Sequence, residues 1–391
     1  MLVTGTKNKK QLGQFFTRNS DYILNGLEKF IKGKDVTDPF AGGGDLILWA
    51  KKHGIKKVKG YEIDKKYINR IDIFYHDSMK NHERYNFVLT NPPYLNINKA
   101  DEETKRDYFR MDNFEDLYQI SLFSILDSKE GIIIVPINFL SAENSKRIRN
   151  IFFSKFEIIE MNYFKHQVFP DTTCNVIAFY YRKKKNFFDN NFSIKTHIYP
   201  GNKIINIELK KDFSWSINGV FLKIIQNQRN ELRIHRLTEK DILKEQGSIE
   251  IPAAYNHIKN IGTVKVSEEL YNKIRSNIIL LKAIDTGTEK GKVCLENIKR
   301  YDIDCLVSKD TSRHMVYLIF QNKVSITEQK QIIEVFNKEI NEMRDKYSSL
   351  FLTNYRDNGR KRISFDFVYK FINYVYFDKI NPLKNNKLLF S

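Results

Sequence analysis

The sequence predicts an α/β first half built on a mixed sheet of seven strands, followed by an α+β second half. Three observations carry this. Apolar runs of strand length alternate with segments of helical apolar spacing as far as Tyr181. Two of those runs end in features suited to a ligand site, a glycine loop at Gly42-Gly43-Gly44 and the turn Asn91-Pro92-Pro93-Tyr94. Beyond residue 190 the alternation is lost, and short strands mix with helices.

Taken in order, Gln11-Leu12-Gly13-Gln14-Phe15-Phe16-Thr17 precedes Ser20, which can cap a helix with apolar positions at Ile23, Leu24, Leu27 and Phe30. Asp35 to Asp38 reads as a strand that enters the glycine loop, with a helix from Leu46 to Lys52 behind it. A second strand, Lys57 to Ile63, ends near Glu62, and a third, Ile71 to His76, ends in Asp77-Ser78. The fourth, through Phe87, Val88 and Leu89, delivers the proline turn. A helix over Leu117, Ile120, Ile125 and Leu126 leads to the buried strand Gly131 to Pro136, and two more strands follow at Phe156–Phe164 and Cys174–Tyr181. The closeness of the last pair predicts an antiparallel hairpin at one edge. The basic run Arg182 to Lys185 is read as the domain boundary, giving domains 1–185 and 186–391.

The proline turn restricts chemistry more than any other stretch. Pro93 forces Pro92 to be extended, and neither proline has an N–H, so the carbonyls of Asn91 and Pro92 stand beside the Asn91 carboxamide as rigid acceptors. Acceptors so grouped suit an amino group with two N–H bonds, and Tyr94 offers a plane on which a flat ring can stack. The glycine loop is not a dinucleotide fingerprint, because the third glycine of that motif would fall at Ile47, and it lacks the Gly-Lys-Ser/Thr of a phosphate loop. A nucleoside without phosphates fits better. Glu62 lies about as far beyond the loop as the ribose-binding acid of nucleotide folds, and Asp77 can accept from an adenine amino group.

With 65 basic and 47 acidic residues the chain carries +18, spread over both halves, which favours a polyanionic partner. Cys174, Cys294 and Cys305 have no paired spacing, so they read as reduced thiols of a cytoplasmic protein, with neither a disulfide framework nor a metal site. The longest apolar stretch is too short to span a bilayer. In the second half, Thr327 to Tyr347 has a helical apolar face through Ile332, Ile333, Phe336, Ile340 and Met343. Pro252 to His257 reads as a small-residue loop. Thr353 to Arg362 gathers Asn354, Arg356, Arg360, Lys361 and Arg362 around a turn, donors suited to base edges and phosphates.

With these residues in place, the chain resembles the γ-class N6-adenine DNA methyltransferases of restriction-modification systems over roughly residues 11–182, and more loosely beyond as a target-recognition domain. The resemblance implies a Rossmann-like methyltransferase domain and S-adenosylmethionine as cofactor. It implies that Thr17 holds the methionine carboxylate, and that Asp38 with Phe40, Gly42 and Gly44 lines the methionine and ribose. Glu62, with Ile63 beside it, would take the ribose hydroxyls, and Asp77 with Ser78 the cofactor adenine. Asn91 and Pro92 would grip the target amine, with Tyr94 and Phe169 of Val168-Phe169-Pro170 on the two faces of a flipped base. Implied partners are duplex DNA and a cognate restriction endonuclease acting on the same site, for a monomer without membrane contact. An RNA or protein-glutamine methyltransferase shares the Asn-Pro-Pro-Tyr site and is one alternative; a catalytically silent DNA-binding module that keeps the fold is another.

Overall fold

The computed structural model describes residues 13, 17–110, 113–170, 174–186, 188–217, 219–286, 288–347, 353–354 and 360–383. The chain forms two compact units, Met1–Gly219 and a second made of Val220–Tyr355 with Arg360–Ser391.

In the first unit the strands are β1 (Val36–Asp38), β2 (Val58–Glu62), β3 (Ile73–Tyr75), β4 (Tyr85–Thr90), β5 (Ser128–Pro136), β6 (Phe156–Phe164), β7 (Val176–Lys183), β8 (Asn191–Tyr199) and β9 (Lys203–Lys210). They form one sheet in the order β3-β2-β1-β4-β5-β7-β6-β8-β9. β1 to β5 are mutually parallel, and β7 runs antiparallel between β5 and β6. This is a Rossmann-like mixed sheet with the expected antiparallel pair, which β8 and β9 place inside the sheet instead of at its edge. Strand order reverses between β1 and β4, so the carboxyl ends of those two strands flank the crevice where open α/β sheets bind ligands. Ile132, Ile133, Ile134 and Val135 of β5 are wholly buried, which explains why the strand reads as an unbroken apolar run.

Three expectations are corrected in this unit. The sheet has nine strands, and the first unit continues to Gly219 instead of ending at Lys185. β8 adds in parallel to β6, from Glu160 opposite Lys195 to Phe164 opposite Tyr199, and β9 pairs back on β8. The basic run is not a solvated linker: Lys184 is buried, with its Nζ 2.7 Å from the Asp189 carbonyl and 4.3 Å from the Trp215 ring centre. The helix expected from Ser20 is a single turn, Ser20–Ile23, followed by a short 3-10 turn at Glu28–Phe30. Gly26, at φ 81°, lies between them. Of the apolar positions expected on this helix, Ile23, Leu24 and Leu27 are fully buried, while Phe30 is half-buried and stacks on Tyr180 at 3.9 Å.

Arg149 holds three backbone segments of this unit together. Its Nε donates to the Ser214 carbonyl at 2.8 Å, and its Nη1 to the carbonyls of Phe139 and Ala142 at 3.0 and 2.9 Å. The side chain is 1% exposed, and burial pulls its pKa down to about 10. Arg149→Ala strips those carbonyls of a donor and opens a cavity, so it is expected to destabilise the protein by roughly 3–5 kcal/mol. A urea titration of both proteins measures this, and an unchanged midpoint would contradict the role.

The second unit has a four-stranded antiparallel sheet in the order Ile234–Arg236, Met315–Phe320, Ile279–Lys282, Cys294–Asn297. Helix Ile326–Tyr347 supplies Ile332, Phe336 and Ile340 to its core, and Phe367, Phe371 and Ile372 of helix Phe365–Tyr374 complete it. The first helix opens on a reciprocal cap: the Glu328 carboxylate accepts from the Ser325 backbone N–H, and Ser325 Oγ accepts from the Glu328 N–H. Pro252 to Tyr255, expected as a loop, instead belong to strand Ile249–Tyr255, which pairs antiparallel with His257–Val266 and parallel with Cys305–Val307. Asn256 makes the turn between the two strands with φ 55°.

Candidate active site

A cavity enclosing about 750 Å³, part of it open to solvent, lies at the carboxyl ends of the parallel strands. Strand β1 brings Asp38, β2 brings Glu62, the segment after β3 brings Asp77 and Ser78, and the turn after β4 brings Asn91 and Pro93. Phe40, Gly42, Ile63 and Thr17 line it as well. Sequence-predicted residues that stand far apart in the chain thus meet in one place because the sheet is parallel there.

The glycine loop is shaped by close approach. Gly44 has φ 89° and immediately precedes helix Asp45–Lys52. At Gly60 of β2 a Cβ would come within 2.6 Å of both Ala41 and Ile47, so only glycine lets the loop and helix settle on the strand. That settling places the Gly42 N–H 2.8 Å from Glu62 Oε2, while Glu62 Oε1 accepts from the N–H groups of Ile63 and Asp64 at 2.9 and 2.8 Å. Burial raises the Glu62 pKa, and these N–H groups oppose the rise. Asp38 is held by the Phe40 N–H at 3.0 Å and the Thr90 hydroxyl at 2.7 Å, both on Oδ1. Burial nevertheless pushes its pKa up to about 7, with the charges of Glu62 and Asp45 adding to the rise.

Asp45 Oδ2 is buried without a hydrogen-bond partner, and Asp45 lines the same cavity. Asp38, Asp45, Glu62 and Asp77 therefore face a space whose described lining has no lysine or arginine. Such a site selects a ligand with positive charge and hydroxyl or amino donors, and S-adenosylmethionine, with its sulfonium, ammonium, ribose hydroxyls and adenine amine, meets that demand.

The proline turn is fixed from several sides. Asn91 Nδ2 donates to Thr17 Oγ1 at 3.1 Å, and the Tyr94 hydroxyl lies 2.5 Å from Asn91 Oδ1 and 2.8 Å from the Ile134 carbonyl. The Tyr94 N–H donates to the Gly13 carbonyl at 2.9 Å. Among the described residues no hydrogen bond reaches the Pro92 carbonyl. Tyr94 is buried, with its ring edge-on to Tyr118, and Phe169 is buried too; neither is among the cavity-lining residues.

Sequence reading missed Tyr108, which lines the cavity and donates through its hydroxyl to Asp77 Oδ2 at 3.0 Å. It ends helix Glu102–Tyr108 within a charged stretch whose only local signal is the cap, Asp101 Oδ1 accepting from the Thr104 N–H at 2.8 Å. Asp77 Oδ1 meanwhile accepts from the N–H groups of Met79 and Lys80. His76, Met79 and Leu117 also line the cavity without having been singled out.

Of the residues expected to read DNA, Arg356 lies outside the described residues, and Asn354 is described only in its backbone, in strand Thr353–Asn354. That strand pairs with Lys361–Arg362. Lys361 is buried, while Arg360 and Arg362 are half-buried.

The Rossmann-like sheet and the acid-lined cavity at its switch point are those expected of a class I S-adenosylmethionine-dependent methyltransferase. Residues 9–169 match the protein family described as Eco57I restriction-modification methylase, and the resemblance read from the motifs is borne out over that span. Solved structures similar to the chain include the EcoKI M protein of a type I restriction enzyme (14% identity, 48% of this chain and 49% of that one, TM-score 0.38). Another is the methyltransferase subunit of a type I restriction-modification system from Streptococcus thermophilus (17% identity, 49% and 50%, TM-score 0.35). A third is the type IIL restriction-modification enzyme MmeI in complex with DNA (11% identity, 90% and 64%, TM-score 0.47). The chain spans about half the length of the type I subunits it matches. No curated protein matches it.

Proposed function

We propose that the protein methylates the N6 amine of adenine in duplex DNA, as the modification activity of a restriction-modification system. The observation that carries the reading is that Asn91, at the end of β4, lines the same cavity as the four carboxylates.

When bound, S-adenosylmethionine supplies an electrophilic methyl, whose bond to sulfur breaks with its electron pair staying on sulfur. The chain's own residues prepare the amine. An exocyclic amine on a purine is a poor nucleophile because its lone pair is delocalised into the ring. Asn91 Oδ1 and the Pro92 carbonyl, each accepting one of its N–H bonds, favour a pyramidal nitrogen and aim its lone pair out of the ring plane. Asn91 Oδ1 has two lone pairs, one of which takes the Tyr94 hydroxyl here, so the amine can use the other, and both once Tyr94 has turned toward the base. Thr17 fixes the far side of the carboxamide, which holds its oxygen toward the substrate. No general base is needed first, because the methylated nitrogen is cationic and loses its proton readily to water.

An adenine inside a duplex must be flipped out, at a cost of a few kcal/mol. Tyr94 and Phe169 are proposed to bracket it and offset that cost by about 1–3 kcal/mol each, which requires both buried side chains to turn outward. The second unit is proposed as the target-recognition domain, with the cytoplasm as the site of action and a cognate endonuclease as the protein that the methylation protects against.

The reading is tested by incubating the protein with tritiated S-adenosylmethionine and unmethylated duplex DNA, then digesting the DNA to nucleosides for mass spectrometry. N6-methyladenine is the expected product. Label entering RNA or a glutamine side chain in preference to DNA would replace this reading with one of those activities.

A further inference from the structure

In the second unit, Arg236, Arg313 and Arg362 converge on a cleft of about 480 Å³ whose other walls are Ile363, Ser364 and Phe365. The three arginines reach it from different elements. Arg236 ends the edge strand of the four-stranded sheet, Arg313 sits in the turn before Met315–Phe320, and Arg362 ends strand Lys361–Arg362.

The first two arginines are held by the same turn. Arg236 donates from Nη1 to the Ser312 carbonyl at 3.1 Å and from Nη2 to that of Asp310 at 2.8 Å, and its guanidinium carbon lies 5.2 Å from the centre of the Phe365 ring. Arg313 Nη1 donates to the same two carbonyls, at 2.8 Å to Asp310 and 2.9 Å to Ser312. The nearby carboxylates are already engaged: Asp310 pairs with Lys240 at 2.5 Å, and Asp366 with Lys370 at 3.1 Å. Neither Arg236 nor Arg313 forms an ion pair among the described residues. Each guanidinium has five N–H donors, so both keep donors beyond those spent on the turn.

Bringing the guanidinium groups of Arg236 and Arg313 to one turn without an ion pair costs electrostatic energy that a bound anion recovers. The basic character continues past the cleft. His257 and His314 stack at 6.0 Å, and burial, with the charges of His257, Arg360 and Lys282, holds the His314 pKa down, while Lys282 itself pairs with Glu296 at 2.7 Å. A forked donor set of this kind fits the two free oxygens of a phosphodiester, and the net charge of +18 favours a polyanion over a single carboxylate of another protein.

We propose that Arg236, Arg313 and Arg362 form a clamp for one phosphodiester of the DNA backbone. The inference rests on the DNA-methyltransferase reading and adds to it a backbone contact that joins Arg362 of the Thr353–Arg362 turn to Arg236 and Arg313.

The test measures binding of a fluorescein-labelled duplex of mixed sequence to the full-length protein by anisotropy, over a series of KCl concentrations. Wild-type affinity should fall linearly in log–log form. Arg313→Ala leaves Arg236's bonds to the turn in place, and it should weaken binding roughly three- to tenfold and shallow the slope by about one unit. Arg236→Ala/Arg313→Ala should weaken binding further, with the slope still shallower by about one unit because a single phosphodiester is contacted, and Arg236→Lys/Arg313→Lys should restore most of the slope. S-adenosylmethionine affinity should not change in any variant, which separates the clamp from loss of fold. Affinity and slope unchanged in Arg313→Ala and in the double alanine variant would overturn the clamp while leaving the DNA reading intact. A wild-type protein that binds no duplex would overturn that reading and the clamp with it. Inorganic phosphate that displaces the duplex at constant ionic strength would assign the cleft to a free anion and also overturn the proposal.

Discussion

Asn91→Ala is expected to lower methyl transfer by roughly 10²–10³-fold, the loss typical when one preorganised polar group is removed from the reacting centre. It should leave S-adenosylmethionine affinity nearly unchanged. The substitution removes the carboxamide oxygen proposed to accept an N–H of the target amine, whereas the carboxylates of the cavity and the glycine loop stay where they are. It should not disturb the fold, because Tyr94 keeps its hydrogen bond to the Ile134 carbonyl and its backbone bond to Gly13. Asn91→Asp separates the two roles of the side chain. It keeps oxygens that accept but loses the amide N–H given to Thr17, so its activity should lie between those of wild type and Asn91→Ala. Single-turnover transfer of tritiated methyl to DNA reads the rate, and calorimetry reads the cofactor affinity. A rate near wild type for Asn91→Ala would show that the acceptor chemistry lies elsewhere.

The residues legible in the sequence share a property: their chemistry is announced by local backbone demands. Asn91 is marked by two prolines that stop a strand, Glu62 by an acid at a strand end, and Gly42 and Gly44 by a loop that must turn tightly. What was missed depends on pairing between distant segments, which leaves little local trace. Strands β8 and β9 were assigned to the second domain because charge alone marked Arg182 to Lys185, yet the pairing of β6 with β8 makes those residues internal to the first unit. Tyr108 enters the cavity only because a short capped helix packs back over Asp77. The arginine cleft is invisible for the same reason, since its members lie at positions 236, 313 and 362 with no common motif. Pro252 reads as a loop breaker, yet within strand Ile249–Tyr255 it still serves as an acceptor, its carbonyl taking a bond from the Asp304 N–H at 2.9 Å.

Asp38→Asn is expected to stabilise the protein above neutral pH while weakening its hold on a cationic cofactor. Burial raises the Asp38 pKa from its ordinary 3.8 to about 7, so the folded chain binds that proton more tightly than the unfolded chain does. Stability is therefore greatest while Asp38 is protonated in both states. It falls as pH rises through the window between those two values and is flat above it. A shift of this size corresponds to up to about 4 kcal/mol. The carboxamide introduced by the substitution has no charge to bury, and its carbonyl oxygen can still accept from Phe40 and Thr90. The melting temperature of wild type should consequently drop relative to the variant between pH 5 and 7, then run parallel to it. Cofactor affinity should show the complement. A cation binds best when Asp38 is ionised, so wild-type affinity should rise by up to tenfold per pH unit below about pH 7 and level off above it, whereas the variant should lack this component. Differential scanning calorimetry without cofactor and titration calorimetry with it provide the two profiles. Parallel profiles for both proteins across that range would mean that Asp38 is ionised throughout and that its charge is balanced by a group outside this pocket.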